Sequence, residues 1–223
     1  MEPILLEPLE SPAVLPDFVS CYSARLPRAD HRLHFRAGRE CVARAMARLG
    51  LPDVDVPHGP QGQPIWPAGV TGSITHKRDF VFAAVARTHD VLSIGIDAED
   101  LIEQERAARI SSVVMLPQES FVGGSAVAAA DRIVLLFSIK EALFKCLYPL
   151  VLRRFYYDAI AVTDLDVPAR RFEAALLVDL SHGFERGTVV SGSVQVDERR
   201  VYSGTWISSQ PVAGGRTRED ATI

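Results

Sequence analysis

Cysteine is scarce in this chain of 223 residues: there are three, Cys21, Cys41 and Cys146, an odd number without CxxC spacing. That pattern excludes a disulfide framework and fits reduced thiols in a cytoplasmic protein. Long apolar runs are missing as well. No uninterrupted stretch approaches the roughly 20 residues that a membrane-spanning helix needs. The opening, Met1 to Pro8, lacks a basic segment followed by an apolar one, so no secretory leader is expected. An excess of positive charge is also lacking. The 24 Lys and Arg against 28 Asp and Glu give a formal charge of −4, which argues against a nucleic-acid binder. Arginine is nevertheless clustered between Arg25 and Arg48, so a local basic site remains open.

The hydrophobic share is 48% and the charged share 23%, an ordinary globular composition for one large domain or two small ones. Residues 1–30 read as an irregular lead-in with a short helix or strand. Phe35, Val42, Ala45, Met46 and Leu49 recur at helical spacing, with Gly50 and Pro52 ending the helix. The Pro- and Gly-rich stretch 52–70 reads as loop. Phe80–Ala86 and Val91–Ile96 read as buried strands. Residues 100–122 read as two helical pieces broken near Pro117. The apolar helix 126–148 should stop at Tyr148, because Pro149 disfavours helical geometry in the residue before it. Strands follow at 156–163, 170–180, 188–197 and 200–208. Residues 209–223 read as a disordered tail. The order of elements points to an α+β fold.

Two stretches carry carboxylates where an ordinary element would not. Along Ser93-Ile94-Gly95-Ile96-Asp97-Ala98-Glu99, strand alternation sends Ile94, Ile96 and Ala98 into a core and Gly95, Asp97 and Glu99 to the other face. Neighbouring carboxylates repel unless a cation sits between them, and hard oxygen ligands on one face suit Mg²⁺. In the second stretch, Phe137 to Lys145, a helical wheel places Lys140 inside the apolar arc and Glu141 at its edge. Lys145 lies one turn beyond Glu141. Burying unpaired charge costs several kcal/mol, so these charges suit a cleft with a charged ligand. A snorkelling lysine and an internal Glu141–Lys145 ion pair are the plain alternative.

Gly72-Ser73-Ile74-Thr75-His76-Lys77 combines hydroxyls and an imidazole, donors that suit an anion. It lacks the order of a Walker A loop. Arg36 and Arg39 flank Gly38 on the first helix, and an Arg fork binds phosphate bidentately. His31 and His34 have no Cys or His partner at zinc spacing.

Together these segments resemble the group II, surfactin- and enterobactin-type 4'-phosphopantetheinyl transferases. The family's Gly-Ile-Asp-x-Glu is matched by Gly95 to Glu99. Its aromatic-Ser-x-Lys-Glu-Ala/Ser-x-x-Lys is matched by Phe137 to Lys145. Its Ser-x-Ser/Thr-His is matched by Ser73 to His76, preceded by Trp66-Pro67, and its early-helix Arg is matched by Arg39. The resemblance covers about residues 30–165. Departures are Gln61 and Gln63 in a loop where many members carry a Lys, Ala98 in place of a larger aliphatic residue, and Lys77 in place of a small residue or Cys.

The resemblance implies a pseudo-dimer of two similar α+β halves, residues 1–94 and 95–208, with coenzyme A in the cleft between them. It implies Mg²⁺, replaceable by Mn²⁺, on Asp97, Glu99 and Glu141, with Glu119 nearby. Lys140 and Lys145 would hold the coenzyme A phosphates, Thr75 and His76 the nucleotide end, and Arg39 the 3′-phosphate. Ser73 and Arg36 complete the binding set, and Glu141 and Lys145 are the catalytic pair. The partner would be an acyl or peptidyl carrier domain of a polyketide, nonribosomal-peptide or siderophore pathway, served by a monomer. Arg153 and Arg154, in an apolar stretch after the catalytic helix, are candidates to dock it. A Mg²⁺ phosphohydrolase and a non-catalytic coenzyme A or carrier-binding module are the rival readings.

Overall fold

A computed structural model describes residues 7–26, 31–124 and 127–209, with the side chains of His31 and Arg32 left out. Among these residues the chain forms β1 (Glu7–Leu9), β2 (Ser20–Arg25), α1 (His31–Arg48), β3 (Val70–Lys77), β4 (Phe80–Arg87), β5 (Val91–Asp100), α2 (Gln104–Val114), α3 (Ala129–Val151), β6 (Ile160–Asp166), β7 (Arg171–Leu176), β8 (Val189–Val196) and β9 (Arg200–Ser208). Short 3₁₀ turns cover Pro117–Glu119 and Tyr157–Ala159. The fold is α+β. Two antiparallel sheets run in the orders β1-β2-β4-β3 and β5-β9-β8-β7-β6.

Strand alternation explains how the layers stack. On β4, Val81, Ala83 and Val85 meet Ala37, Cys41 and Ala45 of α1. Phe80, Phe82, Ala84 and Ala86 point the other way, into a core shared with Ile94, Ile96 and Ala98 of β5. The two sheets therefore pack through one common core, while α3 covers the outer face of the second sheet and α2 packs on α3. Removing each large aliphatic side chain in that shared core from water contributes about 1.5–3 kcal/mol.

The edges of the two sheets also meet. β3 ends the first sheet and β5 the second. Ser73 and Thr75 are both buried, and Ser73 Oγ accepts the Ile96 N–H at 3.1 Å. On the other side of β5, a Cβ at Gly95 would overlap the Ala142 carbonyl oxygen. Only a residue without a side chain lets α3 lie this close to the strand.

Several elements differ from the sequence expectation. β3 occupies Val70–Lys77, a stretch to which the sequence pattern assigns no strand, because its Ser, Thr and Gly hide the alternation. α3 runs on to Val151 past Pro149. Proline so near the end removes only one helical hydrogen bond, and the Leu152 N–H still reaches the Tyr148 carbonyl at 2.9 Å. Leu152 then leaves with φ 51°. β6 begins at Ile160, after the 3₁₀ turn. The expected division between residues 94 and 95 falls inside β5, which belongs whole to the second sheet. The expected tail lies outside the described residues beyond Ser209.

Candidate functional site

The joint between β3, β5 and α3 gathers the charged residues. On β5, Asp97 is buried. Its Oδ1 accepts from Thr75 Oγ1 at 3.1 Å and from Lys145 Nζ at 2.7 Å. Lys145 Nζ also bonds the Ile96 carbonyl at 3.1 Å and Thr75 Oγ1 at 3.3 Å. Two residues along, Glu99 is paired with Lys77 of β3. Burial holds the Glu99 carboxyl above its ordinary range, with Asp97 adding to the rise and Lys77 and Lys145 opposing it. On α3, Glu141 Oε1 accepts from Tyr157 Oη at 2.6 Å. Burial pushes the Tyr157 hydroxyl up in pKa, and the bond to Glu141 and the charges of Asp97 and Glu99 push it further. Of the three carboxylates, Glu141 bonds the tyrosine directly, and Asp97 and Glu99 act on it through charge.

A fit to a divalent cation rests on Asp97. Its Oδ2 is buried and, among the described residues, has no hydrogen-bond partner. Such an oxygen is costly unless something positive reaches it. Among the described residues no three His, Cys, Asp or Glu side chains already close on a metal-sized space. Lys145, Lys77 and Tyr157 each engage one of the three carboxylates instead. Carboxylate oxygens are the donors Mg²⁺ takes, so the set fits the ion in chemistry.

Lys140 is placed differently from the sequence expectation. Its side chain is 1% exposed and donates to Glu119 Oε2 at 2.8 Å, the Val114 carbonyl at 2.9 Å and the Tyr157 carbonyl at 3.0 Å. An ammonium has three protons, and all three are used inside the fold. Burial lowers the Lys140 pKa, with Glu119 opposing. Glu119 is fully buried, and its oxygens also take the N–H groups of Leu116 and Val162, each at 2.7 Å. In this structure both are engaged inside the fold, although Lys140 also borders the cavity lined by Glu141 and Phe144. The Lys140–Glu119 pair ties α3 to the 3₁₀ turns and β6.

The nucleotide candidates divide along β3. Ser73 and Thr75 face the joint with β5. His76 faces the other way, stacked on His34 with ring centroids 4.7 Å apart. His76 lines a cleft of about 380 Å³ with Arg39, Phe35, His58 and Ile74. Arg39 Nε is fixed on the Val56 carbonyl at 2.7 Å, and its guanidinium lies 4.3 Å from the Phe35 ring centre. Burial draws the Arg39 pKa down, with Asp55 opposing. Arg36, half-buried on α1, is not among the residues that line this cleft.

Two further cavities adjoin the carboxylates. One of about 190 Å³ is bounded by Glu141, Phe144, Arg154, Phe155 and Tyr157. The other, about 350 Å³, is bounded by Lys77, Glu99, Arg106, Arg109, Phe137 and Tyr157. Tyr157 stands between them, and sequence reasoning did not single it out. One signal did point here. Of the 24 Lys and Arg, only Lys77, Lys140 and Lys145 are lysines, and each is paired with a carboxylate of this region. A chain that uses arginine nearly everywhere else keeps the compact ammonium where space is tight.

An α+β fold with carboxylates gathered at a joint between clefts that carry Arg39, Arg106 and Arg109 has the groups that suit a phosphorylated ligand. Comparison with known sequences is more specific. The 4'-phosphopantetheinyl transferase N-terminal domain matches residues 28–86, and the 4'-phosphopantetheinyl transferase superfamily matches residues 93–192. The 4'-phosphopantetheinyl transferase Svp of Streptomyces mobaraensis is 38% identical over 187 residues, 80% of this chain and 69% of the relative. PptT of Mycobacterium tuberculosis, another 4'-phosphopantetheinyl transferase, is 33% identical over 68% of this chain and 67% of the relative. Enterobactin synthase component D of Salmonella typhimurium is 29% identical over 55% of this chain and 49% of its own. The chain belongs to the 4'-phosphopantetheinyl transferase family.

Proposed function

We propose that this chain transfers the 4'-phosphopantetheine arm of coenzyme A to a serine of an acyl or peptidyl carrier domain. The observation that carries this reading is the convergence of Lys145 and Thr75 on Asp97, at a joint flanked by a nucleotide-sized cleft and a narrow aromatic cavity. Arg39 and His76 are assigned to the nucleotide end. The cavity beside Phe144 and Phe155 is assigned to the pantetheine arm, and its small volume suits a chain rather than a ring. The two sheets, each backed by one long helix, support the pseudo-dimeric arrangement of the family, with both sides of the cleft drawn from one chain. A monomer is then sufficient.

In this reading the serine Oγ bonds to the phosphorus that bears the pantetheine. The bond from that phosphorus to the bridging pyrophosphate oxygen breaks, and adenosine 3′,5′-bisphosphate leaves. The serine proton passes to a carboxylate of the site or to water. Lys145 offsets charge on the phosphate oxygens, the main requirement of phosphoryl transfer. Asp97, Glu99 and Glu141 would hold Mg²⁺, which when bound supplies positive charge beside the pyrophosphate.

Leu152 and Tyr156 are 79% and 75% exposed beside Arg153 and Arg154. They form an apolar and basic apron next to the aromatic cavity, suited to an acidic carrier helix. Among the described residues no helix is long and apolar enough to cross a membrane. The three cysteines are free thiols, which suits a cytoplasmic setting.

Incubation with an apo carrier domain, coenzyme A and Mg²⁺, followed by mass spectrometry, tests the reaction. A gain of one phosphopantetheine mass on the carrier is the expected result. An unmodified carrier alongside consumed coenzyme A would replace transfer with hydrolysis.

A further inference from the structure

Tyr157 is held from three sides. Its main-chain carbonyl accepts from Lys140 Nζ at 3.0 Å, inside the buried pair with Glu119. Its ring leans on Phe137, with centroids 5.7 Å apart at 56°. Its hydroxyl donates to Glu141 Oε1 at 2.6 Å. The first two contacts fix the backbone and the ring plane, so the hydroxyl has one place to go. Glu141, by contrast, projects from α3 on a flexible side chain, half-exposed at the wall of the narrower cavity. Without a partner, its carboxylate would sample several rotamers.

We propose that Tyr157 is a positioning residue for the transfer reaction: its hydroxyl fixes Glu141 by one oxygen and leaves the other for the cation shared with Asp97 and Glu99. The inference rests on the metal assignment made above. The chain builds the support in sequence order. Lys140 and Glu141 are neighbours on α3, so the residue that anchors the Tyr157 main chain is adjacent to the one its hydroxyl orients. A lysine spent wholly inside the fold gains a purpose from this arrangement. It carries no ligand itself, yet it sets the residue that aims a ligand. Hydrogen-bond partners that orient metal ligands in this way typically contribute 10- to 100-fold in metal affinity.

The test is Tyr157→Phe, which keeps the ring and removes only the hydroxyl. Mn²⁺ binding is measured by electron paramagnetic resonance, without coenzyme A or carrier. The dissociation constant should rise by about tenfold. In turnover assays the KM for Mg²⁺ should rise by a similar factor. The KM for coenzyme A at saturating metal should stay unchanged, and the melting temperature should stay close to that of the unaltered protein. Glu141→Gln and Tyr157→Phe combined should weaken Mn²⁺ no more than Glu141→Gln alone, since the two act as one unit. Unaltered Mn²⁺ affinity in Tyr157→Phe, or additive losses in the double variant, overturns the role of Tyr157 and leaves the transferase reading standing. Failure of the unaltered protein to bind Mn²⁺ overturns the metal assignment, and this inference with it.

Discussion

Lys145 and Asp97 lie 48 positions apart in the sequence and meet at 2.7 Å because α3 rests directly on β5. Lys145→Met should lower transfer at least a hundredfold, the typical loss when a major electrostatic group is removed from an active site. It should also cost stability. Asp97 would be left without the cation beside it, and breaking a buried pair from one side costs about 3–5 kcal/mol. Partial exposure of Lys145 puts the expected loss at the lower end. Adding Asp97→Asn should recover much of that stability and none of the transfer. Urea unfolding and carrier-loading assays on the two variants check both parts. Transfer within tenfold of normal in Lys145→Met would remove Lys145 from the chemistry.

The Lys140–Glu119 pair makes the opposite prediction. Lys140→Met should unfold at lower urea, by about 3–5 kcal/mol, because a fully buried Glu119 is left unpaired. Lys140→Met with Glu119→Gln should recover most of the loss. The KM for coenzyme A should change little in protein that remains folded. A large rise in that KM, with stability intact, would instead make Lys140 a phosphate ligand.

The two lysines show how far the sequence can be read. The carboxylate strand, the apolar helix and the placement of Lys140 inside its apolar arc are all visible in periodicity, because each depends on neighbours along one element. What Lys140 pairs with is not visible. Glu119 lies 21 residues away in a 3₁₀ turn, and nothing in local pattern marks such a turn as a partner. β3 escapes for a related reason. Its Ser73 and Thr75 face another strand edge rather than an oily core, so the inward face is polar and the alternation is lost. Tyr157 escapes because its role comes from the packing of a loop against a helix. The family resemblance supplies Asp97, Glu99, Glu141 and Lys145 as a set. The structure adds that Ser73 and Thr75 serve the joint between the sheets, and that Lys140 and Glu119 serve the interior.

Arg39 carries the prediction for the nucleotide end. Its side chain is held by Val56 and Phe35 in the cleft that His76 lines. A guanidinium fixed in this way binds a phosphate with little further ordering. Arg39→Ala should weaken coenzyme A at least tenfold, the scale of a lost charged hydrogen bond. It should weaken dephospho-coenzyme A much less, because only coenzyme A carries the 3′-phosphate. Calorimetry with both ligands measures the difference. Equal losses for the two would assign Arg39 to holding the loop at Val56.

Gly95 tests whether the approach of α3 to β5 is what assembles the site. A Cβ there would overlap the Ala142 carbonyl oxygen and stand 2.7 Å from Cys146 N and 2.8 Å from Cys146 Cβ. The nearest obstacle is backbone, so no rotamer change relieves it. Gly95→Ala should push the helix off the strand, part Lys145 from Asp97, and cost at least about 3 kcal/mol, the upper end for an overpacked core. Gly50→Ala is the control. Gly50 has φ 64°, and a Cβ added there would meet nothing within 4 Å. Only the backbone penalty of about 1 kcal/mol then applies, and transfer should be normal. Cys146→Ala combined with Gly95→Ala separates the causes. Trimming Cys146 removes its sulfur but leaves the carbonyl of Ala142 in place, so the double variant should remain unstable and inactive. Full stability and transfer in Gly95→Ala would show that the joint tolerates a wider spacing, and that Lys145 reaches its partner without it.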